Sequence, residues 1–270
     1  MPAMFIAFLF PLVLFSSVII GAVASLLFYL SPNELLQAFT SAETWFALRL
    51  TLSSSLISLI ASLFLGIPSA YVLARYRFAG KVVLETLLDL PMVTPPLVAG
   101  LGLLFLLGRN NPVGHTLNNL GVEVLFTPLA IIVAQTYVAT SVIARSAQAT
   151  FSQQDTEYRH MAMTLGLSSG WTFILVELPM AAKGLVAAII LGWARALGEF
   201  GATLMIAGAT RMYIETLPVA VYLSISSGES ELAVACAVIL LALAFLLLIG
   251  IRLVNTAYST VRIRHVEYSV

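Results

Sequence analysis

Long uncharged stretches alternate with short charged clusters along this chain, and that spacing predicts helices that cross a membrane. No charged residue stands between Met1 and Glu34. Arg49 and Arg75 enclose 25 uncharged residues, Asp89 and Arg109 enclose 19, Glu123 and Arg145 enclose 21, and Glu231 and Arg252 enclose 20. A further window, Lys183 to Arg211, is interrupted only by Arg195 and Glu199. A helix of ~20 apolar residues covers the ~30 Å hydrocarbon layer, so each window is long enough. The expected spans lie near residues 4–30, 48–74, 88–108, 124–148, 184–208 and 230–254, which makes the fold all-α and polytopic with six transmembrane helices in a single domain, 1–270. The first run is longer than the ~7–15-residue core of a secretion signal and has no basic leader, so it reads as a retained span.

Composition agrees with a lipid-embedded chain. Of 270 residues, 60% are apolar and 10% charged, and the mean hydropathy is +1.01. Soluble domains carry roughly 25% charged residues. The net charge is zero, and no basic face argues for nucleic acid. Cys236 is the sole cysteine, which excludes an internal disulfide. His115, His160 and His265 are far apart, and no Cys/His spacing suggests a metal site. The sequence contains no Gly-x-x-x-x-Gly-Lys-Ser/Thr phosphate loop and no nucleophile–base arrangement. No catalytic residue, metal or cofactor is therefore expected on this chain.

An even number of spans places both termini on one side. Arg75, Arg77 and Lys81, then Arg145, Arg159 and Lys183, then Arg252, Arg262 and Arg264 fall on that same face. Cytoplasmic loops carry the excess of basic residues, so this face reads as cytoplasmic. The opposite face holds Arg49, Arg109 and Arg211, and Arg195 lies within the membrane.

The connections are also patterned. Ser31-Pro32-Asn33-Glu34 reads as a capping box opening a short interfacial helix, with Leu35, Leu36 and Phe39 on one side. Turn-forming residues from Gly108 to Asn119 predict an outer loop. Thr216 to Gly228 is apolar but too short to span, and reads as a surface or re-entrant helix. The cytoplasmic connection 150–182 predicts a helix capped by Asp155, with Glu157 in its first turn and its end near Leu165. Gly166 is placed to stop it in a left-handed turn. Ser169 caps a second short helix that ends at Glu177, limited by Pro179. Tyr158, Met161 and Leu165 form a stripe with Ala162 beside it. Such a stripe packs either on the chain's own span ends or in a groove of another protein.

Two intramembrane groups stand out. Pro91, Pro95 and Pro96 remove backbone donors at the start of the third span. The freed carbonyls need partners, so this backbone, with Thr94, either lines a water-filled path or packs as an ordinary kinked span. Arg195 and Glu199 are four residues apart and can pair across one helix turn. Either charge alone would cost ~2.5–3.5 kcal/mol at mid-membrane, which favours a structural pair over Arg195 acting as counter-ion to an anion. Thr203 follows one turn later, and Gly198, Gly201 and Ala202 permit close helix approach.

The run Tyr158-Arg159-His160-Met161-Ala162-Met163-Thr164-Leu165-Gly166, followed by Val176-Glu177-Leu178-Pro179, resembles the signature loop of permeases in bacterial and archaeal binding-protein-dependent ABC importers. Gly166, Val176, Leu178 and Pro179 match that pattern in register. Met161 and Ala162 take its alanine positions, and His160 stands where the family has glutamate. Gly66 to Arg75, Leu90 to Gly100 and Arg195 to Thr203 are similar to the molybdate-type permeases and their sulfate-type relatives. The likeness covers roughly residues 45 to 255.

This resemblance implies a type I importer permease fold in the inner membrane of a bacterium or archaeon. It implies a homodimer, two cytoplasmic ATP-binding subunits holding ATP and Mg, and an extracytoplasmic oxyanion-binding protein. Glu157, Tyr158, Arg159, His160, Met161, Ala162, Leu165 and Gly166 would form the coupling helix that docks on the ATPase. Pro91, Thr94, Pro95, Pro96, Gly198, Glu199 and Thr203 would be pathway or gate positions. Molybdate is the expected substrate, with tungstate or sulfate as the alternatives. An ion-driven secondary carrier would instead show internal repeats with paired broken helices. No repeat is evident, and span three alone reads as proline-broken. A membrane-embedded enzyme lacks its catalytic cluster.

Overall fold

Serine, alanine and glycine fill the seams between the longest helices, and this lets the backbones approach closely, as lipid-embedded helices require. The computed structural model describes the backbone of residues 3–267 and the side chains of residues 5, 8–250, 252 and 253. Arg262, Arg264 and His265 lie outside the described side chains. The helices are α1 (Ala3–Leu27), α2 (Pro32–Thr40), α3 (Ala42–Arg75), α4 (Lys81–Val93), α5 (Pro96–Leu107), α6 (Pro112–Asn119), α7 (Pro128–Ser152), α8 (Thr156–Thr164), α9 (Ser169–Thr172), α10 (Leu178–Leu197), α11 (Gly201–Ala207), α12 (Leu217–Ser226) and α13 (Ser230–Glu267). Among the described residues, five helices are long and apolar enough to cross a membrane, or six if the bent pair α4–α5 counts as one span.

The bundle is centred on α3, α7 and α10. Thr51, Ser54, Ser55, Ser58, Ser62 and Gly66 form the buried side of α3. Most of these hydroxyls bond within their own helix: Thr51 Oγ1 donates to the Ala47 carbonyl, Ser54 to Thr51, Ser55 to Leu52 and Ser58 to Ser54. Ser58 also reaches across to Gln135 Oε1 at 3.0 Å, and Ser62 to the Thr136 carbonyl at 3.4 Å. The other seam of α7 takes Gly184 of α10 against Thr150 and Gly192 against Ile143, with no room for a Cβ at either glycine. By contrast α1 leans on α13 with most of its apolar side chains exposed, as suits a helix at the lipid boundary.

Three connections differ from the sequence expectation, and in a fourth the structure supplies the angle. The third span, read as proline-broken, is sharply bent. Thr94 is extended, as a residue before proline prefers, and α4 and α5 meet at 116°. The loop from Gly108 to Asn119 contains α6, because Asn111 caps the Val113 N–H at 3.0 Å and Pro112 suits the first turn. Pro179 does not end the helix that begins at Ser169. A π-helical turn, Phe173–Glu177, widens the backbone just ahead of it, with the Leu178 N–H bonded to the Phe173 carbonyl, so the helix runs on to Leu197. The cap of this helix is Ser168 rather than Ser169. The free part of the 150–182 connection is thereby reduced to residues 153–168. Finally, the fifth span breaks at Gly198 and restarts as α11. The capping box at Ser31 and Glu34 forms as expected, and α12 packs against α3 and α13.

Candidate functional site

The connection between α7 and the next span is a short capped helix. Asp155 Oδ1 accepts the Glu157 N–H at 3.0 Å and opens α8. At the other end the Leu167 N–H reaches the Ala162 carbonyl at 3.1 Å and the Gly166 N–H reaches that of Met163 at 3.0 Å. This is a Schellman stop, and Gly166 carries the left-handed backbone it requires, with φ +92°. Both ends are thus closed by their own residues, so α8 is a defined surface element.

The faces of α8 differ. Ala162 is buried and Leu167 half-buried toward the bundle. Tyr158 is 52% exposed, Met161 54% and Leu165 86%. Glu157 and His160 are also exposed, and Arg159 is half-buried. The apolar stripe therefore splits. Its alanine packs on the chain's own body, and its three large members present a bare apolar surface.

The base of this connection holds side chains that sequence reasoning passed over. Arg75 at the end of α3, Gln154 just before α8 and Glu177 in the π turn converge there. The available signal was Glu177 itself, an acid within the apolar run Phe173 to Leu178. Glu215, another buried acid, accepts the Met212 N–H at 2.7 Å and was likewise not singled out.

The second group lies where the two broken spans meet. A Cβ on Gly201 would come within 2.6 Å of Pro96 Cβ, and one on Gly100 within 2.8 Å of Ala202 Cα. The breaks before α5 and α11 are thus stacked backbone to backbone. Pro91 is buried and Thr94 half-buried, whereas Pro95, Pro96 and Gly198 are exposed. Thr203 is fully buried. Arg195 Nη1 lies 2.6 Å from Glu199 Oε2. Glu199 is beyond the end of α10, so the pair bridges a helix terminus rather than one helix face. Its other oxygen accepts the Ala202 N–H at 2.9 Å and caps α11. The Glu199 side chain is fully buried while that of Arg195 is 34% exposed.

A cleft of about 760 Å³ lies at the other end of α3, lined by Gln37, Ser41, Glu43, Arg211, Glu229 and Glu231. Arg211 Nη2 donates to Glu229 Oε2 at 2.7 Å, and this bond raises the arginine pKa further above its ordinary value. The 34 residues of α3 separate this cleft from Arg75 by about 50 Å at 1.5 Å per residue. Among the described residues, no group of three His, Cys, Asp or Glu side chains could hold a metal.

Residues 62–260 match the family model described as binding-protein-dependent transport system inner membrane component. The chain is 33% identical to the probable transport system permease protein NifC of Clostridium pasteurianum, covering 87% of this chain and 82% of that protein. It is 35% identical to the molybdenum transport system permease protein ModB of Mycobacterium tuberculosis, covering 78% and 80%. It is 32% identical to the sulfate transport system permease protein CysT of Escherichia coli, covering 83% and 80%. Among solved structures, a chain of a bacterial alginate ABC transporter in complex with its periplasmic protein aligns with a TM-score of 0.71, covering 94% of this chain and 93% of that one at 14% identity. A chain of the MetNI methionine ABC transporter in an inward-facing conformation aligns with a TM-score of 0.62 at 18% identity, covering 78% and 96%. At these identities the structural likeness concerns the fold.

Proposed function

Because the chain belongs to the family of binding-protein-dependent transport system inner membrane components, we propose that it is the membrane-spanning subunit of an ATP-driven importer of a tetrahedral oxyanion. Molybdate is the leading substrate, with tungstate and sulfate behind it. The molybdenum and sulfate permeases among the relatives support an oxyanion and divide over which one.

The observation that carries the reading is the bare apolar face of α8. Tyr158, Met161 and Leu165 are held outward on a helix capped at both ends. A groove on an ATP-hydrolysing subunit is the partner that fits this face. ATP and Mg belong to that subunit, and this chain contributes no catalytic group. The basic residues flanking the same end put it in the cytoplasm with both termini. Two copies of the chain form the pathway, with one ATPase beneath each. An extracytoplasmic binding protein delivers the anion at the opposite end.

The stacked breaks before α5 and α11 are the pathway candidates. Pro95, Pro96 and Gly198 are exposed there with Thr94 half-buried beside them, and Thr203 is the buried hydroxyl behind. Arg195 is held by Glu199, so the pair serves structure and leaves the anion to weaker donors. Movement follows from linkage: ATP drives the change only if it binds one arrangement of the docked loops better than the other.

The test is the reconstituted complex. ATP hydrolysis is measured with binding protein loaded with molybdate, tungstate or sulfate in turn. The strongest stimulation is expected with molybdate. Failure of any ATPase subunit to co-purify with the chain, together with uptake that persists without ATP, would refute the assignment.

A further inference from the structure

The buried cluster at the base of the α8 connection joins three elements that nothing in the loop itself would join. Arg75 Nε lies 2.8 Å from Glu177 Oε1, with both side chains almost wholly buried. Tyr71 Oη donates to the other Glu177 oxygen at 2.6 Å. Arg75 Nη2 donates to Gln154 Oε1 at 2.9 Å, and Gln154 Nε2 donates to the Glu177 backbone carbonyl at 2.9 Å. The Tyr71 ring stands edge-on to Phe151 and Phe173, at 5.4 and 4.6 Å between centroids. Gln154 is the last residue before the Asp155 cap, and Glu177 is the last of the π turn. The cluster therefore binds the outgoing foot of the connection, the returning foot and the end of α3 into one unit.

Position sets what this unit does. A force applied to α8 reaches the membrane through its two feet. If the feet were independent, the connection would flex and the bundle would stay still. Cross-bonded by Gln154 and locked to α3 by Arg75 and Glu177, they move together. Burial strengthens the Arg75–Glu177 pair, because little water competes for it. The π turn has its own place here. Such turns are frequent at functional positions, and in this one the Glu177 carbonyl takes the Gln154 side chain.

We propose that Arg75, Glu177 and Gln154 form a positioning latch that makes the α8 connection a rigid lever, so that motion imposed on α8 is passed to α3, α7 and α10. This rests on the docking role argued above. The latch residues touch neither the transported anion nor the exposed face of α8. They act through the geometry of the connection.

The experiment uses the full complex in proteoliposomes, with ATP hydrolysis and uptake of radiolabelled molybdate and sulfate measured in the same vesicles. Wild type comes first. If it does not couple ATP to uptake of either anion, the functional reading fails and the latch is not the cause. Given a coupled wild type, Arg75→Met/Glu177→Met removes both charges together, which avoids stranding one of them in the interior. The double variant is expected to co-purify with the ATPase at parental stoichiometry and to hydrolyse ATP, with anion transported per ATP reduced about tenfold. Gln154→Ala removes the bond between the feet and leaves the ion pair intact. It is expected to lower the same ratio about threefold. An unchanged ratio in an assembled double variant would overturn the latch. If the double variant does not assemble, Gln154→Ala decides alone: a lowered ratio supports the latch, and an unchanged ratio overturns it. Failure of both variants to assemble would also overturn it, by making the cluster a folding element only.

Discussion

Leu165 gives the sharpest test of the exposed face of α8. Its side chain is 86% exposed, so Leu165→Ala removes almost no contact within the chain. The permease's own stability should change by less than ~0.5 kcal/mol, as for a surface substitution. In the docked state the same side chain enters an apolar groove. Leu→Ala deletes three carbon groups, each worth ~0.8 kcal/mol when buried, or ~2.4 kcal/mol per docking site. That corresponds to an affinity about 60-fold weaker. The assay is titration of the purified ATPase subunit onto the permease in lipid nanodiscs, with the thermal midpoint of the permease measured alongside. The expected pattern is a large rise in Kd at a constant midpoint, and Leu165→Asp should abolish binding. A Kd within about twofold of the parent would place Leu165 outside the groove and refute the argument.

Three further outcomes follow from the geometry. Arg195→Ala strands the fully buried Glu199 carboxylate, whereas Glu199→Ala leaves an arginine whose side chain is only partly buried. The first should lower the thermal midpoint more, since an uncompensated buried charge costs ~3–5 kcal/mol, and equal losses would contradict it. Gly201→Val presses a side chain against the Pro96 ring and the Leu97 backbone, neither of which yields. An overpacking cost of ~1–3 kcal/mol and lost uptake are expected, and an unshifted midpoint would count against the close seam. Glu34 is held below the usual carboxylate range by hydrogen bonds from the Ser31 side chain and backbone. Its depressed pKa means that the cap stabilises α2 above the ordinary glutamate pKa and loses that contribution as pH falls through the lowered value. The protection of the Ser31 and Glu34 amides relative to their intrinsic exchange rates should fall over that window, and Glu34→Gln should remove that loss of protection.

What the sequence made legible was whatever depends on local chemistry. Ser31 and Asp155 cap helices, Gly166 takes a left-handed turn, and uncharged windows form long helices, because each needs only neighbours along the chain. The breaks in the third and fifth spans involve distant partners. The angle between α4 and α5 and the break at Gly198 depend on each other, since Gly201 fits against Pro96 only when both chains turn there. No window of one helix contains that information. The π turn before Pro179 is similar: proline read alone predicts an end, but the widened turn lets the helix continue. Within the site, the stripe on α8 was visible as a pattern, while its division into a buried Ala162 and an outward Leu165 required the body beneath it. Arg75 and Glu177 lie 102 positions apart, and their meeting is a property of the bundle.

The hydroxyl-lined seam of α3 has a mechanical consequence. Most of its hydroxyl donors already have acceptors on their own helix, so the helix carries its hydrogen bonds with it when it shifts. Sliding α3 along α7 breaks the crossing bonds of Ser58 and Ser62 without leaving a row of orphaned groups. With small side chains offering little to interlock, the middle of this contact can give along its length, while Arg75 and Gln154 hold the far end of α3 to the α8 connection.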